Sequence, residues 1–264
     1  MGKEVRLGIL QFGSTRDKGK NVEKLKSLTS RCEADLIIMP EYAMTPITGL
    51  SPRELRKVAE PIDGPFIQEV EGIAKECSSY IVVGMLELAD AGVYNTAVLI
   101  SPKGGVIAKY RKVHLFDAYG YRESEYFLAG NNPSPVVNIG KAKVAMAICF
   151  DIRFPELFRG YALSGAEMVA IPMGWYRGPL KEETLLFLAR ARAHENTLYL
   201  GVSSQYSPEF VGRSMVVDPL GVVIADLGIG EKYLEVSIDI DLVYRARRIL
   251  PVLKLRRADV YSKL

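Results

Sequence analysis

The sequence predicts an α/β protein built as a four-layer α-β-β-α sandwich of two mixed sheets. Three observations lead there. Strand and helix signals alternate at the start of each half of the chain. Each alternation then gives way to a meander of short strands. No linker-like shift in composition divides the 264 residues, so 1–264 reads as one domain. Each half is expected to form one sheet with its helices on the outer face. The two sheets then pack face to face.

The elements follow in order. Residues 5–10 read as a strand, and Val22, Leu25, Leu28 and Cys32 recur at helical spacing. Residues 35–40 form a continuous apolar run, the mark of a strand covered on both faces. Phe66, Val70, Ile73, Ala74 and Cys77 outline a second amphipathic helix. Strands at 80–88, 94–101 and 106–112 are separated by the hairpin-like segments 89–92 and 102–105. Residues 117–135 read as a long loop rich in aromatics, and loops of that length are usually functional. The second half repeats the scheme: strand 143–148, helix 155–163, strand 167–173 and helix 181–195. Strands at 198–205, 212–218, 222–226 and 233–241 close it.

Composition narrows the function. Hydrophobic residues make up 48% and charged residues 25%, which suits a folded globular chain and excludes disorder as its main state. No apolar run reaches the roughly 18 residues of a membrane helix, and the first residues lack a signal-peptide core. The net charge of +3 is too mild to imply a nucleic-acid partner. Three cysteines, an odd number without framework spacing, predict reduced thiols and a cytoplasmic protein. Two histidines leave little for a multi-histidine metal site or a histidine-dependent triad.

Chemistry must then come from other residues. Cys149 ends an apolar strand at a turn before Pro155, where it is expected at the exposed carboxyl edge of a sheet. Helix dipoles there favour a thiolate. Cys32 and Cys77 lie on apolar helical faces and read as buried structural thiols. Glu41 ends another apolar strand; it is either a solvated carboxylate or a base whose pKa is raised by a cleft. Lys112 is either part of a basic edge strand or a fixed cation beside a developing oxyanion. A base, a cation and a thiol at three strand ends suffice for acyl transfer without histidine.

Three blocks extend this reading: Met39-Pro40-Glu41-Tyr42, the run from Tyr110 through Lys112 to Asp117, and the run from Ala147 through Cys149 to Glu156. In that order they resemble the signature blocks of the nitrilase superfamily, the carbon–nitrogen hydrolases. The likeness spans nearly the whole chain. It implies a Glu41-Lys112-Cys149 triad, with Glu123 as a second glutamate near the site. It also implies the α-β-β-α fold, no metal or organic cofactor, and a homodimer or higher even oligomer whose interface includes the C-terminal segment, about 242–264. Phe150-Asp151 after the cysteine resembles the Nit-like amidases, including ω-amidases, rather than members acting on true nitriles.

The expected activity is hydrolysis of a small amide through a Cys149 thioester, with ammonia and a carboxylic acid as products. Lys112 and the Phe150 N–H would hold the oxyanion. Arg153, in the turn after Cys149, and Arg177, beside Trp175, are rival clamps for a substrate carboxylate. N-carbamoyl amide or nitrile hydrolysis stands as the alternative chemistry. A binding module without catalysis, built on Arg245, Arg247, Arg248, Lys254, Arg256 and Arg257, stands as a remote one. Apolar residues interleave these basic ones, which suits a packed interface strand.

Overall fold

The computed structural model describes residues 3–261. Its first half runs β1 (Glu4–Gln11), α1 (Lys18–Leu28), β2 (Leu36–Ile38), α2 (Pro52–Val58) and α3 (Pro65–Cys77). The meander β3 (Tyr80–Ala89), β4 (Gly92–Ile100) and β5 (Val106–Arg111) follows. The segment expected as a loop holds a small hairpin, β6 (Asp117–Ala118) and β7 (Tyr121–Arg122), and a 3-10 turn, Glu123–Glu125. The second half runs β8 (Val137–Asn138), β9 (Lys143–Met146), a 3-10 turn (Cys149–Arg153), α4 (Pro155–Leu163), β10 (Met168–Met173) and α5 (Lys181–Asn196). Then come β11 (Tyr199–Ser204), β12 (Met215–Val217), β13 (Val223–Asp226), β14 (Lys232–Asp239), α6 (Asp241–Ile249) and α7 (Ala258–Tyr261).

Two six-stranded sheets result, in the orders β14-β1-β2-β3-β4-β5 and β13-β12-β11-β10-β9-β8. Both are mixed: β1, β2 and β3 are parallel, as are β9, β10 and β11, and the flanking pairs are antiparallel. The sandwich is the one the sequence predicts. The assignment of one sheet to each half is corrected, because β14 from the second half pairs with β1, from Glu4↔Asp239 to Gln11↔Lys232. That strand joins the two halves by a backbone ladder.

The apolar run of β2 is explained by its two covered faces. Ile38 faces the other sheet with Leu7, Val144 and Val202, while Ile37 packs outward with Leu25, Val70 and Ile73. The sheets approach closely at Gly201, where a Cβ would run into Ile38 and Leu7. Helix α2, absent from the sequence reading, starts at Ser51 with a capping box closed by Glu54.

Two further expectations are corrected. Cys32 and Cys77 are not separate reduced thiols: they form a disulfide, with their Cα atoms 5.7 Å apart. The end of α1 and the end of α3 lie side by side, which brings together residues 45 apart in sequence. The basic C-terminal stretch is not a strand. Residues 241–249 form α6, which buries Val243 and Ala246. Arg245 pairs with Asp239 at 2.7 Å, Arg257 pairs with Asp259 at 2.7 Å, and Arg247 donates to the Ala166 carbonyl, so these cations do not form a free stripe. Of the 242–264 segment, residues 262–264 lie outside the described residues. Among the described residues, no helix is long and apolar enough to cross a membrane.

Candidate active site

Segments that follow strands of both sheets converge on one point. Glu41 follows β2, and β3 presents Gly84 to its backbone; a Cβ there would sit 2.6 Å from the Glu41 Cα. From the other sheet, the Gln205 side-chain amide donates to the Glu41 carbonyl at 2.8 Å. Lys112 directly follows β5, its N–H donating to the Asn95 carbonyl of β4 at 2.9 Å. Glu123 opens the 3-10 turn after β7. Its carboxylate accepts from the Phe116 N–H at 2.6 Å.

Cys149 opens the 3-10 turn after β9 with a φ of +44°, in the left-handed region that a non-glycine residue occupies only under constraint. The constraint is visible. The buried Asp151 carboxylate accepts from the Ile148 N–H at 2.9 Å and from the Tyr110 hydroxyl at 2.8 Å. It also lies 2.8 Å from His114 Nδ1. Tyr110 and His114 flank Lys112 in sequence, so Asp151 ties the cysteine turn to the segment that carries the lysine.

The three charged side chains are fully buried together. Lys112 Nζ lies 3.2 Å from Glu41 Oε1 and 3.0 and 2.8 Å from the two oxygens of Glu123. Asn95 Nδ2 bridges the carboxylates, donating to Glu41 Oε1 at 2.7 Å and to Glu123 Oε1 at 3.0 Å. The Tyr42 hydroxyl donates to Glu123 at 3.2 Å. Glu41 Oε2 has no conventional hydrogen bond, and the Cys149 thiol faces this carboxylate.

The electrostatics follow from burial and from one cation shared by two carboxylates. Burial pushes the Glu41 pKa up; Lys112 opposes this, and the Glu123 charge adds to it. Burial alone would lower the Lys112 pKa, but Glu123 and Glu41 outweigh it and hold the ammonium charged. Burial and the Glu41 charge push the Cys149 thiol well up, only partly offset by Lys112 and the Gly174 backbone. The expectation of an exposed cysteine is corrected: Cys149 is buried, and burial and the Glu41 charge favour its protonated form.

A narrow cavity of about 370 Å³, counting its mouth, opens onto these groups. Phe150, Trp175, Tyr176 and Lys181 help to line it. Trp175 Nε1 donates to the Lys181 carbonyl at 2.8 Å. The two arginines lie further out. Arg153 is not in the cavity lining; its guanidinium stands over the Trp175 ring, 5.0 Å from the centroid. Arg177 donates to the Ser207 carbonyl at 3.1 Å and lines only an adjoining outer chamber. A larger depression beside α5, lined by Glu183, Phe187, Arg190 and His194 among others, contains no cysteine. Among the described residues, no group of three or more His, Cys, Asp or Glu could hold a metal.

The sequence reading missed Asn95, Tyr42 and Lys181. Asn95 had a signal, since it interrupts the apolar face of a strand between Val93 and Ala97. Tyr42 and Lys181 had none, because a left-handed residue after a strand and the first residue of a helix look ordinary in sequence.

Comparison with known proteins gives a consistent picture. The Carbon-nitrogen hydrolase family profile matches residues 6–248. The chain is 33% identical to the deaminated glutathione amidase of Rattus norvegicus, over 98% of this chain and 84% of that protein. It is 31% identical to the omega-amidase NIT2 of Xenopus tropicalis, over 97% and 96%. Among solved structures it resembles an amidase from Nesterenkonia sp. AN1 with a TM-score of 0.79 and 25% identity, over 98% and 96% of the two chains. In that structure the acetamide moiety of fluoroacetamide is covalently added at the active-site cysteine.

Proposed function

The chain belongs to the carbon–nitrogen hydrolase family, in the Nit-like branch of the nitrilase superfamily, and on that premise we propose a thioester mechanism for it. Its substrate is a small amide whose C–N bond is not a peptide bond. Glu41 takes the thiol proton as Cys149 Sγ attacks the carbonyl carbon. The oxyanion forms against the Lys112 ammonium and the Phe150 N–H. Glu41 returns the proton to the leaving nitrogen, the C–N bond breaks, and ammonia departs. Glu41 then takes a proton from water, which attacks the thioester carbonyl. The acid leaves and the thiol is restored. Glu123 holds Lys112 charged and in place.

The observation that carries this reading is the shared cavity of Glu41, Lys112, Glu123 and Cys149, with the Cys149 thiol against the Glu41 carboxylate. A base needs a pKa raised toward the working pH, and burial raises that of Glu41. A deprotonated cysteine is not required at rest, because the base and the thiol face each other.

The test is ammonia release from a panel of small amides by the wild type and by Cys149→Ala. Turnover by the wild type and none by the variant is expected, with the intact protein gaining the acyl mass when acylation outruns hydrolysis. Wild-type turnover by Cys149→Ala would remove the thioester from the mechanism. The same reading takes 1–264 as one catalytic domain that pairs as a homodimer. The exposed Phe187, Ile249 and Leu255 offer apolar surface for that contact, which sedimentation tests.

A further inference from the structure

Asp151 directly follows Phe150, and the proposed reaction gives it no step. It is fully buried, and its carboxylate makes contacts on two sides. Oδ2 accepts from the Ile148 N–H at 2.9 Å and from the Tyr110 hydroxyl at 2.8 Å. Oδ1 accepts from the His114 N–H at 3.3 Å and lies 2.8 Å from His114 Nδ1.

The first side is the cysteine turn. The Asp151 N–H donates to the Ile148 carbonyl at 3.0 Å while its carboxylate accepts from the Ile148 N–H. Residues 148 and 151 are thus clasped through main chain and side chain together. Cys149 and Phe150 are the two residues inside that clasp, which holds Cys149 at its left-handed φ and carries the Phe150 N–H.

The second side is the backbone of the lysine. The buried Tyr110 hydroxyl donates to Asp151 and accepts from the Val113 N–H at 3.3 Å. Val113 and His114, the two residues after Lys112, are therefore tied to the carboxylate, one through Tyr110 and one directly. Lys112 follows β5 in one sheet and Phe150 follows β9 in the other, so this carboxylate spans the two sheets. Oxyanion donors act best when they are fixed in advance where charge will develop. A buried carboxylate bonded to the carriers of both donors is a rigid spacer between them.

We propose that Asp151, acting with Tyr110, is a positioning residue that sets the separation and direction of the two oxyanion donors, the Lys112 ammonium and the Phe150 N–H. The proposal rests on the thioester reading for what those donors do.

Two reagents separate the donors from the nucleophile. p-Nitrophenyl acetate acetylates the thiol: the Sγ–C bond forms through a tetrahedral oxyanion, the ester C–O bond breaks, p-nitrophenolate leaves, and Glu41 takes the thiol proton. Iodomethane methylates the same sulfur: the Sγ–C bond forms as the C–I bond breaks, iodide leaves, Glu41 takes the proton, and no oxyanion arises. The readout is the ratio of the two second-order rate constants, acetylation over methylation, at Cys149, with Cys149→Ala as the blank. Asp151→Asn keeps the shape but turns one acceptor into a donor facing N–H groups. It should lower the ratio by about 10²-fold, the scale of losing one oxyanion donor, and leave methylation nearly unchanged. Tyr110→Phe removes one hydroxyl and should lower the ratio by about tenfold, the scale of one hydrogen bond. Ammonia release from small amides should fall in the same order, through kcat and not KM.

A ratio unchanged in both variants overturns the proposal, and Asp151 is then a brace for the fold alone. Equal losses with both reagents overturn it too, because the carboxylate then positions the sulfur and not the donors. If Asp151→Asn does not fold, Tyr110→Phe decides by the same ratio. A wild type methylated but not acetylated at Cys149 sinks the thioester reading and the proposal with it. A wild type that is acetylated, with variants of unchanged ratio, leaves that reading standing and removes the spacer.

Discussion

Two buried carboxylates lie on opposite sides of the same strand ladder and behave in opposite ways. Side chains alternate along β5 and the residue after it, so Lys109 and Arg111 turn to one face and Tyr110 and Lys112 to the other. On the first face Glu87 accepts from Lys109 at 2.7 Å, from Arg111 at 2.7 and 2.9 Å, and from Thr96 at 2.8 Å. Burial would raise its pKa, but Arg111, Lys109 and Thr96 outweigh that and bring it down to about 2. On the second face Glu41 shares one lysine with Glu123 and keeps an oxygen without a hydrogen bond, and its pKa goes up. A carboxylate with more donors than it needs is a brace. Glu41 is the reverse case: burial, with the Glu123 charge adding to it, outweighs Lys112 and Asn95 and raises its affinity for a proton.

The largest expected effect breaks the second cluster. Glu41→Gln should lower kcat by about 10³-fold or more, the loss of a base acting in both half-reactions. Its melting temperature should stay within about 3 °C of the wild type, since the buried charge it removes was itself unfavourable. A large fall in stability would mean that Glu41 is a brace like Glu87.

Glu123→Gln sharpens the contrast and should act less strongly, with a loss of about 10²-fold in kcat, because its carboxylate holds Lys112 and its neighbours Asn95 and Tyr42 rather than taking the thiol proton. It also predicts a direction with pH. If Glu41 is the base, wild-type activity should rise as pH rises through the Glu41 pKa, which burial raises from its ordinary value. The Glu123 charge contributes to that upward shift, so the acid limb of the kcat/KM profile should move to lower pH in Glu123→Gln. An unmoved limb would show that the two carboxylates do not sense each other.

The smallest effect belongs to the first cluster. Glu87→Gln should cost about 1–2 kcal/mol of stability, read by urea unfolding, because its cationic partners are partly exposed. It should leave ammonia release nearly unchanged. The sign with pH is that of a depressed carboxylate. The stabilisation is present above the ordinary carboxylate range and is lost as pH falls toward about 2. Loss of activity at full stability would invalidate the contrast between the two faces.

The sequence by itself determined most of the elements, though not α2, the small hairpin β6–β7 or the C-terminal helix α6, and brought Glu41, Lys112 and Cys149 to the ends of strands. Those readings rest on local physics: apolar periodicity, turn residues, and side chains whose chemistry is fixed by type. Tertiary structure alone decided that β14 crosses to the first sheet, that Cys32 meets Cys77 across 45 residues, and that Asn95 bridges Glu41 and Glu123. It also decided that Cys149 is buried rather than exposed, and that Lys181 stands among Phe116, Tyr119 and Trp175. The physical reason is common to all five. Burial, pairing and pKa depend on which distant segments come within a few ångströms, and no local pattern along the chain encodes that distance.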